Sequence, residues 1–525
     1  MNCVHIELQR VQTWLFAVPR LRAMVGANSL LGETLRVELP KLARETGHAW
    51  TLMQSSVEAY PTADPNDPLQ AHDDPAADAK DGILARDGGH FEAQFASGAD
   101  AFADAAEHLL RTKLPGLRFR ITVDGEQRTK NQVCLSTELP VLAPCQWTGR
   151  GLASDIVTQG NKGDEDYEEF EVSLGTKQRH DLSKKAEEWQ TEDIASLLSA
   201  TTNIKSLNRP QELQELVGNG YLALVHADGN NVGKSKPGTP AEDAHFFYEN
   251  RVVLRRGVQA AINRSCDHDA PRRTAEEAKN GASGKPVKVF APLVPLMIGG
   301  DDLLFVCRAE IALPFIVALC EELEAIQKER SGYKLTLGVG VVFARQKVPI
   351  HRLHEVTDQL ASSAKRRYRG VQNAGEKARS VVDWAVYSTS WVDDPEEVRQ
   401  RDWLHGSGTE LRVLSQRPVD VLGQGLDSLE GLVNGAGKLK HAPRSQLRYL
   451  VDQLPRGRAL SELAFAELPQ EAKEPLAKAG VTTPWQPAGN ASTTSLLDLV
   501  EITEIARLGR KSEHANSQPE AAHVQ

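Results

Sequence analysis

The order of apolar and polar positions in the middle of the chain predicts alternating strands and helices. Short apolar runs bounded by glycine or aspartate predict strands, and apolar residues three and four apart predict amphipathic helices. The predicted strands are Tyr221–Ala227, Leu293–Ile298, Leu303–Cys307, Lys334–Ala344 and Ser380–Thr389. The predicted helices are Ala241–Ser265, Glu310–Arg330 and Ile350–Tyr368. This β-α-β-β-α-β-α-β order predicts an α+β fold of ferredoxin-like type with an extra helix and strand.

The first part of the chain follows the same order more weakly, as an internal repeat of pattern rather than of identity. Its predicted strands and helices are Val4–Leu8, Arg20–Glu45, Trp50–Ser55, His90–Phe95, Ala99–Lys113 and Arg118–Val123.

Polar, breaker-rich stretches are predicted to be exposed loops or insertions: Ser55–Asp87, Gly160–Glu171 and Asp267–Lys285. After Asp393, leucines at helical spacing predict the core of a small bundle: Leu411, Leu414, Leu426, Leu429, Leu432, Leu447, Leu450 and Leu454.

Composition narrows the class of protein only slightly. The chain has 525 residues, of which 40% are hydrophobic and 25% charged, which is typical of a soluble protein of two to four domains. The net charge of −10 excludes a generically basic nucleic-acid binder. Six cysteines without a C-x-x-C pair predict a reducing compartment and no intact zinc site. Because neither a signal pattern nor a long apolar run is present, we expect a cytoplasmic protein without a membrane partner.

Two adjacent aspartates at the tip of a predicted hairpin are the strongest candidates for chemistry. Gly299 and Gly300 permit the positive φ of the turn, and Asp301 and Asp302 follow them. Adjacent carboxylates in an apolar frame repel each other, and a bound cation such as Mg²⁺ relieves that repulsion. The alternative is an exposed hairpin whose acids only keep it soluble.

A third carboxylate, Asp228, follows the predicted strand 221–227. In a ferredoxin-like sheet the first strand lies beside the hairpin of the next two, so we expect Asp228 close to Asp301 and Asp302. Three such carboxylates can hold two divalent ions about 3.5–4 Å apart and activate a hydroxyl against a phosphoryl centre. Asn230 stands where a second acid would strengthen this interpretation, so the strand end supplies one carboxylate.

The glycine-rich turn after Asp228 is a second candidate for contact with phosphate. Gly229 and Gly233 are separated by one residue fewer than a Walker A loop needs, and prolines follow where its helix should begin. A P-loop is therefore disfavoured, although the turn could still offer backbone N–H groups to a phosphate.

Basic residues near the end of the helix predicted from Ile350 could neutralise a triphosphate: Lys365, Arg366, Arg367 and Arg369. The position of Lys365 relative to the carboxylates favours it as the functional cation. The alternative is that these charges complement the helix C-terminus. His351 and His354 have a ligand-like spacing without a third partner, which predicts a surface pair.

Taken together, these motifs resemble a known family. Asp228-Gly229 after a strand, Gly299-Gly300-Asp301-Asp302 in a hairpin and Ala364-Lys365 on a later helix are similar to the palm shared by GGDEF diguanylate cyclases and the large polymerase/cyclase subunit of type III CRISPR effector complexes. The G-G-D-D form points to the CRISPR subunit. The segments LRAMVGANSLL at 21–31 and GGHFEA at 88–93 look like that family's first, catalytically empty palm, and CQWTG at 145–149 is similar to its inter-palm cysteine region in degenerate form.

The resemblance implies a division of the chain into five segments. These are a first palm-like domain without catalytic residues over 1–135, an inter-palm linker region with the degenerate cysteine motif over 136–215, a catalytic palm with GGDD over 216–392, a helical C-terminal domain over 393–508 and a disordered tail over 509–525. Many members of the family begin with an HD nuclease domain, whereas this sequence starts directly in the first palm-like segment. We therefore expect a form without that domain and without DNase activity. The missing cysteines leave a structural zinc ion in doubt.

The function that the resemblance implies is conversion of ATP, bound between two palms, into 3′-5′ linked cyclic oligoadenylate when target RNA binds the complex. Asp228, Asp301 and Asp302 would hold two Mg²⁺ or Mn²⁺ ions, and Lys365 would contact the triphosphate. The nucleotide-binding set would be completed by Gly229, Gly233, Gly299 and Gly300. Implied partners are other type III CRISPR effector subunits, crRNA and target RNA. The alternatives are a non-catalytic nucleotide-binding scaffold and a stand-alone cyclic-nucleotide synthase acting as a sensor.

Overall fold

The structure is a computed structural model of the whole chain. It describes residues 2–46, 49–54, 75–86, 88–128, 143–149, 151–159, 167–182, 210–218, 220–230, 232, 240–265, 290–299, 301–329, 335–375, 378–387 and 394–514. Its contacts divide the chain into two compact units. One contains Met1–Glu212, Asn231–Arg256 and Leu296–Asp302, and the other contains Leu213–Asn230, Gly257–Pro295 and Leu303–Gln525.

The first unit is built around a six-stranded sheet covered by helices. Its elements as far as this sheet extends are β1 (Asn2–Gln9), α1 (Val11–Leu15), α2 (Leu21–Glu33), a π-helical turn (Thr34–Glu38), α3 (Leu39–Arg44), β2 (Thr51–Leu52), α4 (Pro75–Lys80), β3 (Ile83–Ala85), β4 (His90–Ser97), α5 (Ala99–Lys113), β5 (Arg118–Val123) and β6 (Glu126–Gln127). The strand order is β2-β4-β1-β5-β6, and β3 also pairs with β4.

Alternation along β1 explains how this sheet forms its core. Val4, Ile6 and Leu8 are buried at every second position, so one face of the strand is apolar. Phe91 and Phe95 on β4 pack against helix α5. The predicted strands and helices of this region are present, with four differences. The strand predicted over Trp50–Ser55 is limited to β2, α1 was not predicted, and α4 and β3 lie inside the predicted loop Ser55–Asp87. These elements have six residues or fewer, too few to produce a periodic signal.

A two-stranded hairpin and a helix follow in the same unit. The strands are β7 (Asp155–Gln159) and β8 (Glu168–Val172), and the described part of the helix, α6, covers 174–182. The strand β8 falls partly in the stretch Gly160–Glu171 that was predicted to be a solvated insertion. Its glutamates are exposed, but Phe170 packs against the buried residues Cys145, Val157 and Val172.

The second sheet also has six strands and carries the candidate palm. Its elements and those leading to it are α7 (Leu213–Val217), β9 (Tyr221–Gly229), α8 (Pro240–Ser265), β10 (Leu293–Gly299), β11 (Asp302–Arg308), α9 (Ala309–Glu329), β12 (Leu337–Arg345), α10 (Ile350–Asn373) and β13 (Val381–Tyr387). The order is β10-β11-β9-β12-β13, with a short strand β16 (Val419–Asp420) at the edge beside β13. β12 is antiparallel to β9 and parallel to β13.

The two neighbours of β12 and the helix α10 bury this strand almost completely. All its residues except Arg345 are buried, which is typical of a strand covered on both faces. The close approach of α10 depends on Gly340. A Cβ at this position would lie 2.2 Å from the carbonyl oxygen of Thr357 and 2.6 Å from the amide nitrogen of Ala361.

The C-terminal part combines helices with a small sheet. Its elements are α11 (Pro395–Val398), a π-helical turn (Arg399–Trp403), β14 (Leu404–His405), a 3₁₀ turn (Gly408–Glu410), β15 (Arg412–Val413), β16, α12 (Leu429–Lys438), α13 (Arg444–Gln453), a 3₁₀ turn (Leu454–Arg456), α14 (Arg458–Glu467), α15 (Gln470–Lys478), β17 (Gln486–Ala488), β18 (Ala491–Thr493) and α16 (Leu496–His514). Six of the eight leucines predicted as its core are buried: Leu414, Leu429, Leu432, Leu447, Leu450 and Leu454.

Two expectations for this C-terminal part were incomplete. The strands β14, β15, β18 and β17 form a four-stranded sheet that the helical pattern did not predict, because each strand has only two or three residues. The tail was predicted to begin at residue 509, whereas α16 continues to His514. Within the described residues, none of the helices has both the length and the apolar character that crossing a membrane requires.

Candidate functional site

Asp228 and Lys365 form an ion pair at the end of β9. The ammonium of Lys365 donates to Oδ2 of Asp228. β9 ends beside β12, and α10 packs across β12, so a lysine near the middle of α10 can reach the strand end. The side chains of Asp228 and Lys365 are 34% and 22% exposed, so the pair is only partly screened by water. The favoured cation and one of the predicted acids are therefore in direct contact.

Gly338 makes room for this pair. It lies opposite Asp228 in the register of β12 against β9. A Cβ at Gly338 would lie 2.6 Å from Cγ of Lys365 and 3.1 Å from Oδ1 of Asn230. The lysine stem thus passes over a strand position that has no side chain. Reasoning from the sequence missed Gly338, although the alternation of Gly338 and Gly340 on one face of a buried strand was a readable signal for close packing.

Asn230 presents a buried carbonyl oxygen close to the pair. Its backbone amide donates to the carbonyl oxygen of Thr336 at 2.8 Å, and its Nδ2 donates to Oγ1 of Thr336 at 3.2 Å. These bonds orient the side-chain amide. Asn230 is 8% exposed, and its Oδ1 has no hydrogen-bond partner among the described residues. An oxygen of this kind is a suitable ligand for a hard divalent cation.

Asp301 and Asp302 lie where the hairpin turns into β11. Asp301 is in the turn, Asp302 is the first residue of β11, and both are half-buried. In the sheet order β11 is the neighbour of β9, the strand that ends in Asp228 and Gly229. Nε2 of Gln12, on the short helix α1, donates to Oδ2 of Asp302 at 3.3 Å. Gln12 was not predicted, because no local pattern marks a single polar residue whose partner is 290 positions away.

The remaining glycines of the predicted nucleotide-binding set are only partly described. Gly229 is buried and pairs with Leu337 of β12. Gly299 is the last residue of β10. Gly233 and Gly300 lie outside the described residues.

The four cations of α10 do not form one patch. Arg366 contacts Glu396 at 3.2 Å and Arg367 contacts Asp420 at 3.4 Å, whereas Lys365 contacts Asp228. Successive residues of a helix point about 100° apart, so consecutive cations reach different acids. The alternative that they complement a helix C-terminus is wrong. The helix was predicted to end at Tyr368 but continues to Asn373, and its last turn contains no basic residue.

The predicted surface pair of histidines is also wrong in part. His351 is exposed, but His354 is buried on the face of α10 that covers the sheet. Its ring stacks on that of His226 with centroids 6.3 Å apart, and Nδ1 of His226 lies 2.8 Å from Oδ1 of Asp358. The three side chains connect α10 to β9 and are part of the packing of the sheet.

The acids are also candidate metal ligands. In the described ranges, no three His, Cys, Asp or Glu side chains are grouped so that they could hold a metal ion. Two observations nevertheless fit a cation at the end of β9. Asp228 already attracts an ammonium, and the oriented Oδ1 of Asn230 lies beside the same lysine stem. The donor set is oxygen only, which suits Mg²⁺ or Mn²⁺.

These features define a mixed α+β domain with acids at its strand ends and a lysine from a covering helix. A scan against protein-family models identifies the domain more closely, since residues 221–373 match the model described as Cas10/Cmr2, second palm domain. The resemblance predicted from the motifs is thus confirmed for this segment. It contains Asp228, Asp301, Asp302 and Lys365. A search of curated proteins found no match.

Solved structures give more distant likenesses. A Csm1–Csm4 cassette in complex with one ATP matches at 11% identity with a TM-score of 0.44, covering 96% of this chain and 70% of that chain. Csm1 from T. onnurineus matches at 14% identity with a TM-score of 0.42, covering 96% and 69%. A Csm1–Csm4 cassette in complex with AMPPNP matches at 14% identity with a TM-score of 0.36, covering 70% of this chain and 53% of that chain. At these TM-scores the family match over 221–373 is the comparison that bears on the site.

Proposed function

We propose that this protein is a metal-dependent nucleotidyltransferase that converts ATP into cyclic oligoadenylate as a subunit of a type III CRISPR effector complex. The observation that carries the proposal is the palm-family match over 221–373, a segment that includes all three candidate acids and the candidate lysine. Other effector subunits, crRNA and an activating target RNA would be its partners, and the cytoplasm its location.

The proposal includes two ferredoxin-like palms, a first one within 1–135 and a catalytic one within 216–392, with a linker region over 136–215 and a helical C-terminal domain over 393–508. The strand orders support it. In the first sheet β1 lies between β4 and β5, and in the second sheet β9 lies between β11 and β12. If β2 and β3 of the first sheet are counted as one strand position, each sheet has its first strand between its third and fourth strands. This is the ferredoxin-like strand order.

In the proposed reaction Asp228, Asp301 and Asp302 are ligands of two Mg²⁺ or Mn²⁺ ions. Bound divalent ions would lower the pKa of the attacking 3′-hydroxyl and stabilise the negative charge at the α-phosphate and the departing pyrophosphate. Gln12 holds the carboxylate of Asp302 in one orientation, and the side-chain oxygen of Asn230 adds a neutral ligand beside Asp228. In the proposal, the backbone at Gly229, Gly233, Gly299 and Gly300 would contact the nucleotide.

Lys365 has two partners in this proposal. Without nucleotide its ammonium neutralises Asp228, as the ion pair indicates. With metal and nucleotide bound, Asp228 would hold a divalent cation, and the flexible stem of Lys365 would carry its ammonium to the triphosphate. A lysine suits this exchange because its ammonium is a compact charge on four rotatable bonds.

The decisive experiment supplies labelled ATP and Mn²⁺ to the protein, alone and in its complex with target RNA, and identifies products by mass spectrometry. We expect a cyclic oligoadenylate that the double substitution Asp301→Ala and Asp302→Ala abolishes. The matched control is Glu321→Ala with Glu322→Ala, which removes two adjacent acids that pair with Arg264 on α8. The control should retain activity.

Two outcomes would contradict the proposal, the first by excluding catalysis and the second by excluding dependence on the complex. Nucleotide that binds without any product under all activating conditions would instead identify a scaffold subunit. A product that is formed equally well without complex and target RNA would identify a stand-alone synthase.

A further inference from the structure

Four side chains of the first unit have the sequence spacing of a four-cysteine zinc site, but only one of the four is a cysteine. The residues are Cys145 and Thr148, followed by Ser173 and Thr176. Structural zinc sites commonly take two ligands from one C-x-x-C turn and two from a second such turn. Here each turn keeps the separation of three positions, and hydroxyl groups occupy three of the four places.

The fold brings the two turns together as a zinc site would. The amide of Cys145 donates to the carbonyl oxygen of Gly151 at 3.0 Å, and the amide of Gly149 donates to the carbonyl oxygen of Cys145 at 2.8 Å. Gly149 and Gly151 have φ values of +63° and +75°, which close the first turn tightly. The amide of Gln146 donates to the carbonyl oxygen of Glu171 at 2.9 Å, which fixes this turn on β8 directly before the second turn begins.

The four side chains form one hydrogen-bonded cluster. Sγ of Cys145 lies 3.5 Å from Oγ1 of Thr176, and Oγ1 of Thr176 lies 2.9 Å from Oγ of Ser173. Thr148 also hydrogen-bonds the sulfur of Cys145. Cys145 and Thr176 are buried, and Val157 and Val172 pack beside the sulfur with Trp147 and Phe170 around them. Ligands of a tetrahedral site with metal–sulfur bonds of 2.3 Å would lie roughly 3.8 Å apart, and the separations of 3.5 and 2.9 Å show that these side chains are at least that close.

The chemistry of the donors does not fit zinc. Neutral serine and threonine hydroxyls are poor ligands for zinc, which takes thiolate, imidazole or carboxylate groups. One thiolate cannot hold the ion alone. Hydroxyls can, however, donate to a sulfur and to each other, which satisfies the same buried positions without a metal.

We propose that Cys145, Thr148, Ser173 and Thr176 form a metal-free counterpart of a four-cysteine zinc site, in which a thiol–hydroxyl hydrogen-bond cluster holds the two turns together. The pKa of Cys145 supports this arrangement. Burial raises the pKa of its thiol, but hydrogen bonds from Thr148 and Thr176, with backbone groups of Ser173 and Thr148, outweigh burial and lower it to about 7. The cluster therefore stabilises negative charge on the sulfur, as a metal would.

An ordinary helix cap explains part of the cluster only. Oγ of Ser173 accepts a hydrogen bond from the amide of Thr176 at 3.4 Å and so caps α6. A cap needs neither a buried thiol nor a hydroxyl at position 148. The proposal does not depend on the proposed function, because it concerns how the hairpin is held together.

The first arm of the test uses the unmodified chain. We expect metal analysis of the purified protein to find no zinc bound through Cys145, and a chelator to leave its melting temperature unchanged. A stoichiometric zinc ion that Cys145→Ala removes, or unfolding of the hairpin by the chelator, would overturn the proposal.

The second arm restores the thiols by the substitutions Thr148→Cys, Ser173→Cys and Thr176→Cys. We expect this variant to bind one Co²⁺ per chain with the absorption of a tetrahedral thiolate site, and Zn²⁺ to raise its melting temperature. Adding Cys145→Ala removes one of the four thiols and should weaken the binding at least tenfold. If the triple variant does not fold, Thr148→Cys with Thr176→Cys keeps the serine cap and places three thiols in the cluster. A folded variant that binds no Co²⁺ would show that the four positions do not have zinc-site geometry.

Discussion

Replacing Lys365 by methionine should have opposite effects on metal and nucleotide. Methionine keeps most of the length of the stem but has no charge. Asp228 then loses the ammonium that competes with a divalent cation for its carboxylate. We therefore expect Lys365→Met to bind Mn²⁺ more tightly than the unmodified protein in the absence of ATP, and to bind ATP more weakly.

The exposure of the pair sets the size of the first effect. Two unit charges about 4 Å apart attract by about 4 kcal/mol at an effective dielectric constant of about 20, and fully exposed pairs contribute a net 0.2–1 kcal/mol. With side chains 22% and 34% exposed, the Lys365–Asp228 pair lies between these limits. A net contribution of about 1–1.5 kcal/mol corresponds to Mn²⁺ binding that is roughly five- to tenfold tighter once the competing ammonium is removed.

The assay is calorimetric titration of the nucleotide-free protein with Mn²⁺, repeated with ATP. Arg366→Met is the matched control, because it removes the next cation of the same helix, whose partner is Glu396. Its Mn²⁺ affinity should stay within twofold of the unmodified protein. Asp228→Asn should lose the binding that Lys365→Met strengthens. Unchanged or weaker Mn²⁺ binding by Lys365→Met would refute the exchange of cations at Asp228.

Three further results follow from the structure. Gly338→Ala places a Cβ 2.6 Å from Cγ of Lys365, so the lysine must move, and we expect a folded protein that loses about 1–3 kcal/mol of stability and binds ATP roughly tenfold more weakly by titration. Gln12→Ala removes a 3.3 Å hydrogen bond to Asp302 and should weaken Mn²⁺ binding by about fivefold, the equivalent of about 1 kcal/mol, without changing the melting temperature. The pKa of Cys145, lowered from 9.0 to about 7, gives stability that is present above pH 9 and is lost as the pH falls through about 7. The free energy of unfolding of the unmodified chain, relative to Cys145→Ser, should therefore rise by up to about 2 kcal/mol between pH 7 and pH 9 in denaturant titrations, and a flat difference would contradict the lowered pKa.

The long helices and strands could be predicted from the sequence because each one contains enough residues to show a periodic pattern of apolar positions. The strand Tyr221–Gly229 and the helix Ile350–Asn373 were found within a few residues of their ends, since burial of one face leaves a period in the apolar positions. Strands of two or three residues, such as β14 and β15, have no period to detect. Their formation depends on partners elsewhere in the chain, including the parallel pairing of β15 with β18.

In the candidate site, too, residues marked by a local motif could be predicted, whereas a residue that depends on a contact distant in sequence could not. The residue types and spacing of Asp228, Asp301 and Asp302 indicated chemistry, and position along α10 selected Lys365. Gln12 could not be selected in that way. Its importance comes from a contact with Asp302 that only the folded chain creates.

The position of Gly338 explains why the pair of Asp228 and Lys365 is specific to this place in the sheet. An aspartate at a strand end is common, and so is a lysine on a covering helix, but a helix packed over a strand is normally separated from it by side chains. Here a glycine opposite Asp228 lets the lysine stem lie against the strand, and a second glycine, Gly340, lets the helix backbone approach it. Two missing side chains on one face of β12 thus bring a movable cation to a fixed acid. That arrangement is what an exchange between ammonium and divalent metal requires, because the acid must stay in place while the cation leaves.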